Sequence, residues 1–446
     1  MVGAHVHMVG IGGIGMSALA QLLSSMKCVV TGSDRDESPT VALLREKGIE
    51  VMIGHDERHV PPDCDLLIYS DAVFPENPER TCAREKGIKE MSYFQMLGEV
   101  TKNARTIAVA GTHGKTTTTG MIAAILMSVG KNPTAIIGSI VRDFDLNRSE
   151  GAVGRTDLRT KSVLGSNFVE GDKNLFVIEA CEYRNHLLEL NPEILVITNL
   201  ELDHTDFFPS LSALQETFRK AVEKVPSHGA IVTNPNDPHI ATVLTNAKAR
   251  IVDYTQMAIG TLLLPGEFNR ENGRAALAAA QAAFPDISLE AGVHALSRFR
   301  GSWRRFEYKG ETKAGAMVYD DYAHHPTAVR KTIVAAREKF PEKKIVVAFH
   351  PHLFSRTKSF MNEFAEALST ADESIVAPIY AAREIDDGSI SHTLLADLAQ
   401  KKGGVVRALN SFNDIRDALN AYGTEWLIIT MGAGDIYKVA EQITEE

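Results

Sequence analysis

Several things that would place a chain quickly are scarce or missing here. There are four cysteines and two tryptophans in 446 residues. Cys28, Cys64, Cys82 and Cys181 show no C-x-x-C spacing. That excludes a disulfide-stapled scaffold and leads us to expect reduced thiols in a cytoplasmic protein. No apolar run approaches the ~18 residues of a membrane helix. The opening MVGAHVHMVGIGGIGMSALA lacks a basic region and a cleavage site, so it does not read as a signal peptide. A basic excess is missing too: 47 Lys and Arg stand against 57 Asp and Glu, a net charge of −10. This argues against nucleic acid or an anionic membrane as partner, while leaving room for a local anion site.

Apolar residues make up 44% and charged residues 23%, which suffices for several ordinary cores. The length predicts roughly three domains. Short apolar runs alternate with amphipathic stretches. Strands are expected at Val6–Val9, Cys28–Gly32, Asp65–Tyr69, Thr106–Ala110, Phe176–Glu179 and Ile194–Thr198, then at Met317–Tyr319, Lys344–Ala348, Ser374–Pro378 and Trp426–Met431. Helices are expected at Met16–Met26, Thr40–Lys47, Met121–Met127 and Ala275–Ala283. The alternation predicts an α/β protein with largely parallel sheets. Polar breaks near Thr101–Arg105 and Arg298–Arg304 divide it into units 1–103, 104–299 and 300–446. Arg142–Lys161, polar and charge-mixed, reads as a solvated insertion.

The strongest local signal is Gly111-Thr112-His113-Gly114-Lys115-Thr116-Thr117, between an apolar strand and a helix. Such a turn aims backbone N–H groups at phosphate oxygens, with Lys115 reaching the outer phosphates and the Thr116 hydroxyl reaching Mg²⁺. It departs from G-x-x-x-x-G-K-T, because Val109 stands five residues before Gly114. A weaker signal is Gly10-Ile11-Gly12-Gly13-Ile14-Gly15, followed by Ser33 and Asp34 at the end of the next strand. It fits a nucleotide diphosphate on the glycine turn with an acid near a ribose hydroxyl. A tight turn without a ligand is the alternative.

Carboxylates follow at strand ends. Glu179 closes one apolar run, and Glu201-Leu202-Asp203-His204 follows another. Acids beside a phosphate loop suit Mg²⁺, which takes oxygen ligands; Asp203-His204 fits metal binding and helix capping equally. Asn269 and Asn272 are three apart before an Ala-rich helix. They fit N-capping, and also reading of an adenine edge. Asp320-Asp321-Tyr322-Ala323-His324-His325 crowds acid, phenol and imidazole at a strand end, and Arg356 follows the next strand. These suit substrate handling, with Arg356 able to grip a carboxylate through two bonds.

In order along the chain, GIGGIGMSALA, GSD, GTHGKTTTT, EACEYRNH, TNLELDH, PGEFNRENGRAA, RRFE, DDYAHHP, HPHLFSRTK, IYAARE and TMGAGDIY resemble the Mur ligase family. The resemblance implies a Rossmann-like N-terminal domain, a central P-loop ATPase-like domain and a Rossmann-like C-terminal domain. It implies an ATP- and Mg²⁺-dependent ligase forming an amide bond between L-alanine and the carboxylate of UDP-N-acetylmuramate. The implied route is an acyl phosphate, in peptidoglycan precursor synthesis. A ligase joining a preformed tripeptide to the same UDP-sugar is the alternative. An NAD-dependent oxidoreductase would leave Lys115 and the last unit unexplained.

By resemblance Lys115 holds phosphates, while Thr116, Glu179 and His204 hold Mg²⁺. Asn269 and Asn272 contact adenine, and Arg305 and Asp321 reach the nucleotide from the last unit. Tyr322, His324 and Arg356 face the amino acid, with His324 as the candidate proton acceptor. Ile11, Gly12, Gly13, Ile14, Gly15, Ser33, Asp34 and Ser70 bind the UDP-sugar. The implied protein is a monomer or homodimer acting on small molecules. Two departures stand out. The family's Glu-Ala-Asp-Glu-Ser-Asp is Glu179-Ala180-Cys181-Glu182-Tyr183-Arg184 here. Leu353 stands where some members carry an arginine.

Overall fold

A computed structural model of the chain describes residues 2–144, 165–382 and 384–445. Among them, three mostly parallel sheets follow one another along the chain. The first holds β1 (His5–Val9), β2 (Val29–Asp34), β3 (Glu50–Ile53), β4 (Leu66–Tyr69) and β5 (Lys89–Ser92). Its order is β3-β2-β1-β4-β5. The chain winds one way from β1 and then crosses to β4 on its other side. The carboxyl ends of β1 and β4 therefore frame a crevice, and the glycine turn of residues 10–15 lies there.

The second sheet holds β6 (Arg105–Ala110), β7 (Pro133–Val141), β8 (Ser166–Val169), β9 (Asp172–Glu179), β10 (Ile194–Ile197), β11 (Ala230–Thr233) and β12 (Arg250–Asp253). Its order is β12-β11-β10-β6-β9-β7-β8, with β8 antiparallel to β7. β6 is buried on both faces, as its unbroken apolar run requires. Ala108 and Ala110 join one cluster and Ile107 and Val109 the other, the period-two alternation of a strand. The third sheet holds β13 (Glu307–Glu311), β14 (Met317–Asp321), β15 (Lys344–Phe349), β16 (Glu373–Val376), β17 (Val406–Ala408) and β18 (Trp426–Met431). Its order is β13-β14-β18-β15-β16-β17, with β13 antiparallel.

The two contacts between units differ in kind. The first and central units share one apolar cluster, which runs from Val6, Ile11 and Leu19 to Phe168, Phe176 and Ile178. Asn167 of β8 also donates to the Ile14 carbonyl, 2.6 Å away. The third unit has apolar clusters of its own.

The insertion expected at Arg142–Lys161 begins differently. Arg142 pairs with Glu307 of β13, Asp143 pairs with Arg300 at 2.5 Å, and Phe144 is buried. These three residues are packed rather than solvated, because two charges and an aromatic ring all find partners. Residues 145–161 lie outside the described residues. No described helix is long and apolar enough to cross a membrane.

Candidate active site

The phosphate loop leaves β6 and enters the helix Lys115–Ser128. Gly114 sits at φ 82°, a left-handed conformation that favours glycine, and a Cβ there would lie 2.2 Å from Asn272 Oδ1. Asn199 fixes the loop from beyond β10: its Oδ1 accepts from the His113 amide (3.0 Å), and its Nδ2 donates to the His113 carbonyl (3.0 Å).

Lys115 Nζ donates to the carbonyls of Gly111 (2.5 Å) and Thr112 (3.2 Å) and to Glu182 (3.0 Å). Burial opposes the ammonium, but the Glu182 carboxylate outweighs it and holds the Lys115 pKa above its ordinary value. Glu182 is itself kept ionised: burial pushes its pKa up, and Lys115 and His204 pull it further down. His204 Nε2 lies 3.4 Å from Glu182 Oε1. Glu182 thus joins the lysine to the histidine, a position the sequence reading left unassigned. Glu179, at the end of β9, accepts the Gly138 N–H at 2.9 Å. Thr116, Glu179, Cys181 and His204 line one cavity of about 330 Å³. A carboxylate, a hydroxyl and an imidazole there fit a hard divalent cation beside phosphates. Cys181 is a poor thiolate, because burial pushes it up to about 12.

Asn269 and Asn272 are buried against the same cavity. They lie inside the helix Glu267–Ala283, whose N-cap is Gly266, so the capping reading fails. Asn269 Nδ2 donates to the Pro265 carbonyl at 2.7 Å.

The third unit closes the cavity with Arg305, Phe306, Asp321, Tyr322, Ala323 and His324. Alternation along β14 divides two neighbouring acids. Asp320 turns inward to Arg304 (2.8 Å), whereas Asp321 lines the cavity and accepts the Phe306 (2.8 Å) and Ala323 (2.7 Å) amides. Burial raises the Asp321 pKa to about 6 despite Arg305. Arg305 crosses to the phosphate loop, donating to Thr116 Oγ1 at 3.2 Å, and its guanidinium lies 4.9 Å from the Tyr322 ring centre. His324 Nδ1 meets the Tyr322 carbonyl at 2.9 Å, which requires the hydrogen on Nδ1 and leaves the lone pair on Nε2. Burial, with Arg356 nearby, holds its pKa well below the usual value, so the ring is neutral at pH 7.

Arg356 requires a correction. It is buried, and its Nε and Nη2 both reach Asp203 Oδ1 of the central unit (2.9 and 2.8 Å), while Nη1 contacts His352. The carboxylate it holds here is the protein's own. Asp203 remains ionised far below its ordinary range although burial opposes this. Two more links complete this face: Thr327 donates to Glu201 (2.7 Å), and Arg270 pairs with Glu338 (2.7 Å).

In the first unit the expected UDP-sugar residues divide. The Gly12 amide donates to Asp34 Oδ2 at 2.8 Å, and a Cβ on Gly12 would strike that carboxylate. A Cβ on Gly15 would strike Tyr93. Gly13 caps the helix, Ile14 opens it, and Ser70 packs beside Gly10. Two of these side chains are turned into the protein. The Ile11 side chain is core, because the strand end turns it inward. Ser33 is fully buried, and its hydroxyl lies within hydrogen-bond distance of both Glu79 carboxylate oxygens (2.8 and 2.7 Å).

Comparisons with known proteins follow this layout. Three family models match in order: the Mur ligase family catalytic domain over residues 5–105, the middle domain over 109–260 and the glutamate ligase domain over 304–434. A UDP-N-acetylmuramate–L-alanine ligase of Clostridium novyi (strain NT) is 35% identical, covering 99% of this chain and 97% of that protein. One from Agathobacter rectalis is 34% identical, covering 99% and 98%. The crystal structure of a UDP-N-acetylmuramate–alanine ligase from Thermotoga maritima has a TM-score of 0.78 at 27% identity, covering 99% of this chain and 98% of that one. A murein peptide ligase from Psychrobacter arcticus has a TM-score of 0.72 at 25% identity, again covering 99% and 98%.

Proposed function

The chain belongs to the Mur ligase family, and from that premise we propose that it joins L-alanine to the carboxylate of UDP-N-acetylmuramate. It is an ATP-dependent ligase that forms an amide bond for peptidoglycan precursors. The observation that carries this reading is the single cavity shared by the phosphate loop, the Asn269–Asn272 pair and the Arg305–His324 face. Residues 1–103 take the UDP-sugar, 104–299 the ATP and 300–446 the amino acid. The enzyme acts in the cytoplasm on these small molecules.

A carboxylate is a poor electrophile, so its oxygen first takes the γ-phosphoryl group, and the amine then displaces phosphate from the acyl carbon. Lys115 turns from Glu182 toward the outer phosphates, where its charge counts most in the transition state. Asn269 and Asn272 offer donor and acceptor to adenine. Thr116, Glu179 and His204 would hold Mg²⁺, which would supply Lewis-acid stabilisation of charge on the phosphoryl oxygens. Arg305, anchored by Asp321 through the Phe306 amide, adds a second cation from the closing side. His324 presents the Nε2 lone pair of a neutral ring, able to take a proton from the alanine ammonium. Tyr322 bounds the pocket for a small side chain. The seal between units keeps water from the acyl phosphate.

The test is phosphate release from MgATP with UDP-N-acetylmuramate, comparing L-alanine, glycine, L-serine and the L-Ala-γ-D-Glu-diaminopimelate tripeptide. Release that needs L-alanine and the UDP-sugar together is expected. Release with the tripeptide alone would overturn the reading.

A further inference from the structure

Beside the nucleotide cavity, three ligating side chains meet across the contact between the central and third units. His113 comes from the phosphate loop, Glu201 from the segment after β10, and His325 from the start of the helix Pro326–Lys339. Their ligand atoms all lie within 4.8 Å of one another. His113 Nε2 is 3.6 Å from Glu201 Oε2, and His325 Nδ1 is 3.8 Å from the same oxygen. Both separations are too long for a hydrogen bond. They suit two donors on either side of a cation, since ligands at about 2.1 Å in a tetrahedron stand about 3.4 Å apart. The Nε2 atom of His113, which faces Glu201, is buried without a hydrogen-bond partner among the described residues. The His325 side chain is only 4% exposed. Polar groups in that condition call for an explanation.

We propose that His113, Glu201 and His325 form a binding site for a divalent d-block cation of the zinc class, which ties the phosphate loop to the third unit. Two imidazoles and one carboxylate are the donor set for such an ion rather than for Mg²⁺, which prefers oxygens. The site is distinct from the Thr116–Glu179–His204 set.

The protonation states are already those a metal needs. Burial opposes ionisation of Glu201, but the neighbouring His113 ring and the Thr327 hydroxyl outweigh it and bring its pKa to about 2. Burial, then His113, lowers the His325 pKa to about 4, so its ring is neutral. The Thr327 hydroxyl donates to Glu201 at 2.7 Å and orients the carboxylate from the outer layer. His325 Nδ1 accepts the Thr327 amide at 3.3 Å, so the tautomer that caps the helix already carries the lone pair a cation needs. A cation there replaces that long contact.

The test uses the full chain without nucleotide, titrated with Co²⁺ as a visible probe and then with Zn²⁺ in competition. The wild type should take up one equivalent with the d–d absorption of a four- or five-coordinate site. Glu201→Gln and His325→Ala should each weaken Co²⁺ binding on the order of 100-fold, given that outer-layer partners alone are worth about 10–100-fold. His55→Ala, in the separate cluster of His7, His55 and Glu79, should leave the band unchanged. Melting curves establish that each variant is folded; if His325→Ala is not, Glu201→Gln and His113→Gln decide. No band in the wild type, a band undiminished in the Glu201 and histidine variants, or a band lost in His55→Ala would each overturn the proposal. Because neither ATP nor alanine is present, this result stands apart from the ligase assay.

Discussion

The contact between the first and central units is mainly apolar, with a few polar links such as Asn167–Ile14 and His186–Asp71, whereas the contact between the central and third units is mainly polar. In the first, Phe168, Phe176 and Ile178 share a core with Ile11 and Leu19. In the second, Asp203 holds Arg356, Glu201 holds Thr327, Thr116 meets Arg305, and Arg270 meets Glu338. Apolar contact is non-directional and costly to expose, so it fixes two bodies together. The exposed Arg270–Glu338 pair can trade its partner for water at little net loss, whereas the buried Arg356–Asp203 pair is costly to break, so this contact is one strong tie among weaker ones. From this difference we predict that the third unit swings to admit substrates while the first rides with the central sheet.

The largest test of this division lies within one unit. Lys115→Ala should cut ATP turnover by at least about 10³-fold while both contacts persist. Phosphate release and a melting curve read the two together; a folded, active variant would break the phosphate-loop assignment. Next, Arg356→Ala strands a buried Asp203 carboxylate and should cost about 3–5 kcal/mol. Adding Asp203→Asn should restore part of that in a double-mutant cycle; independent effects would mean the pair does not hold the third unit. Phe168→Ala, in the apolar contact, should cost about 3–5 kcal/mol of stability with no change in its salt dependence.

Asp321 offers a test by pH. Its folded pKa, about 6, lies above the ordinary 3.8. Between about pH 4 and 6 the folded state keeps a proton that the unfolded chain releases, so this group lowers stability as pH rises. The loss amounts to about 3 kcal/mol. Denaturant titrations of wild type and Asp321→Asn should differ by that slope; parallel curves would show that the carboxyl is not raised. The smallest effect belongs to Arg270→Ala. The pair with Glu338 is exposed, so no more than about 1 kcal/mol is expected. A slight rise in the radius of gyration by scattering would show the third unit loosening.

Much of this was legible in the sequence. β6, β9 and β10 are apolar runs bounded by polar residues, and the phosphate loop stands between a strand and a helix as expected. β7, interrupted by Gly138 and Ser139, and β13, mostly charged, gave no such signal. Their pairing in the sheet, rather than local pattern, makes them strands. At the site, residues near one another in sequence were easily grouped. Glu182 was visible in its motif, yet only the fold sets it against Lys115. Arg356 and Asp203 are 153 positions apart, and nothing local marks them as partners. The burial of the Ser33 and Ile11 side chains was not legible, because a pattern names positions and not the face a side chain takes.

Lys115 lies against three oxygens supplied by the protein, the Gly111 and Thr112 carbonyls and Glu182. On the proposed role of Lys115, nucleotide binding is an ion exchange: phosphate replaces carboxylate around a cation that is already paired. Part of the attraction for ATP is spent on releasing Glu182, which tempers affinity without weakening the field in the reacting state. When ADP and phosphate leave, the carboxylate can return to the lysine. Product release is then a displacement from within the protein and not a bare separation of charges.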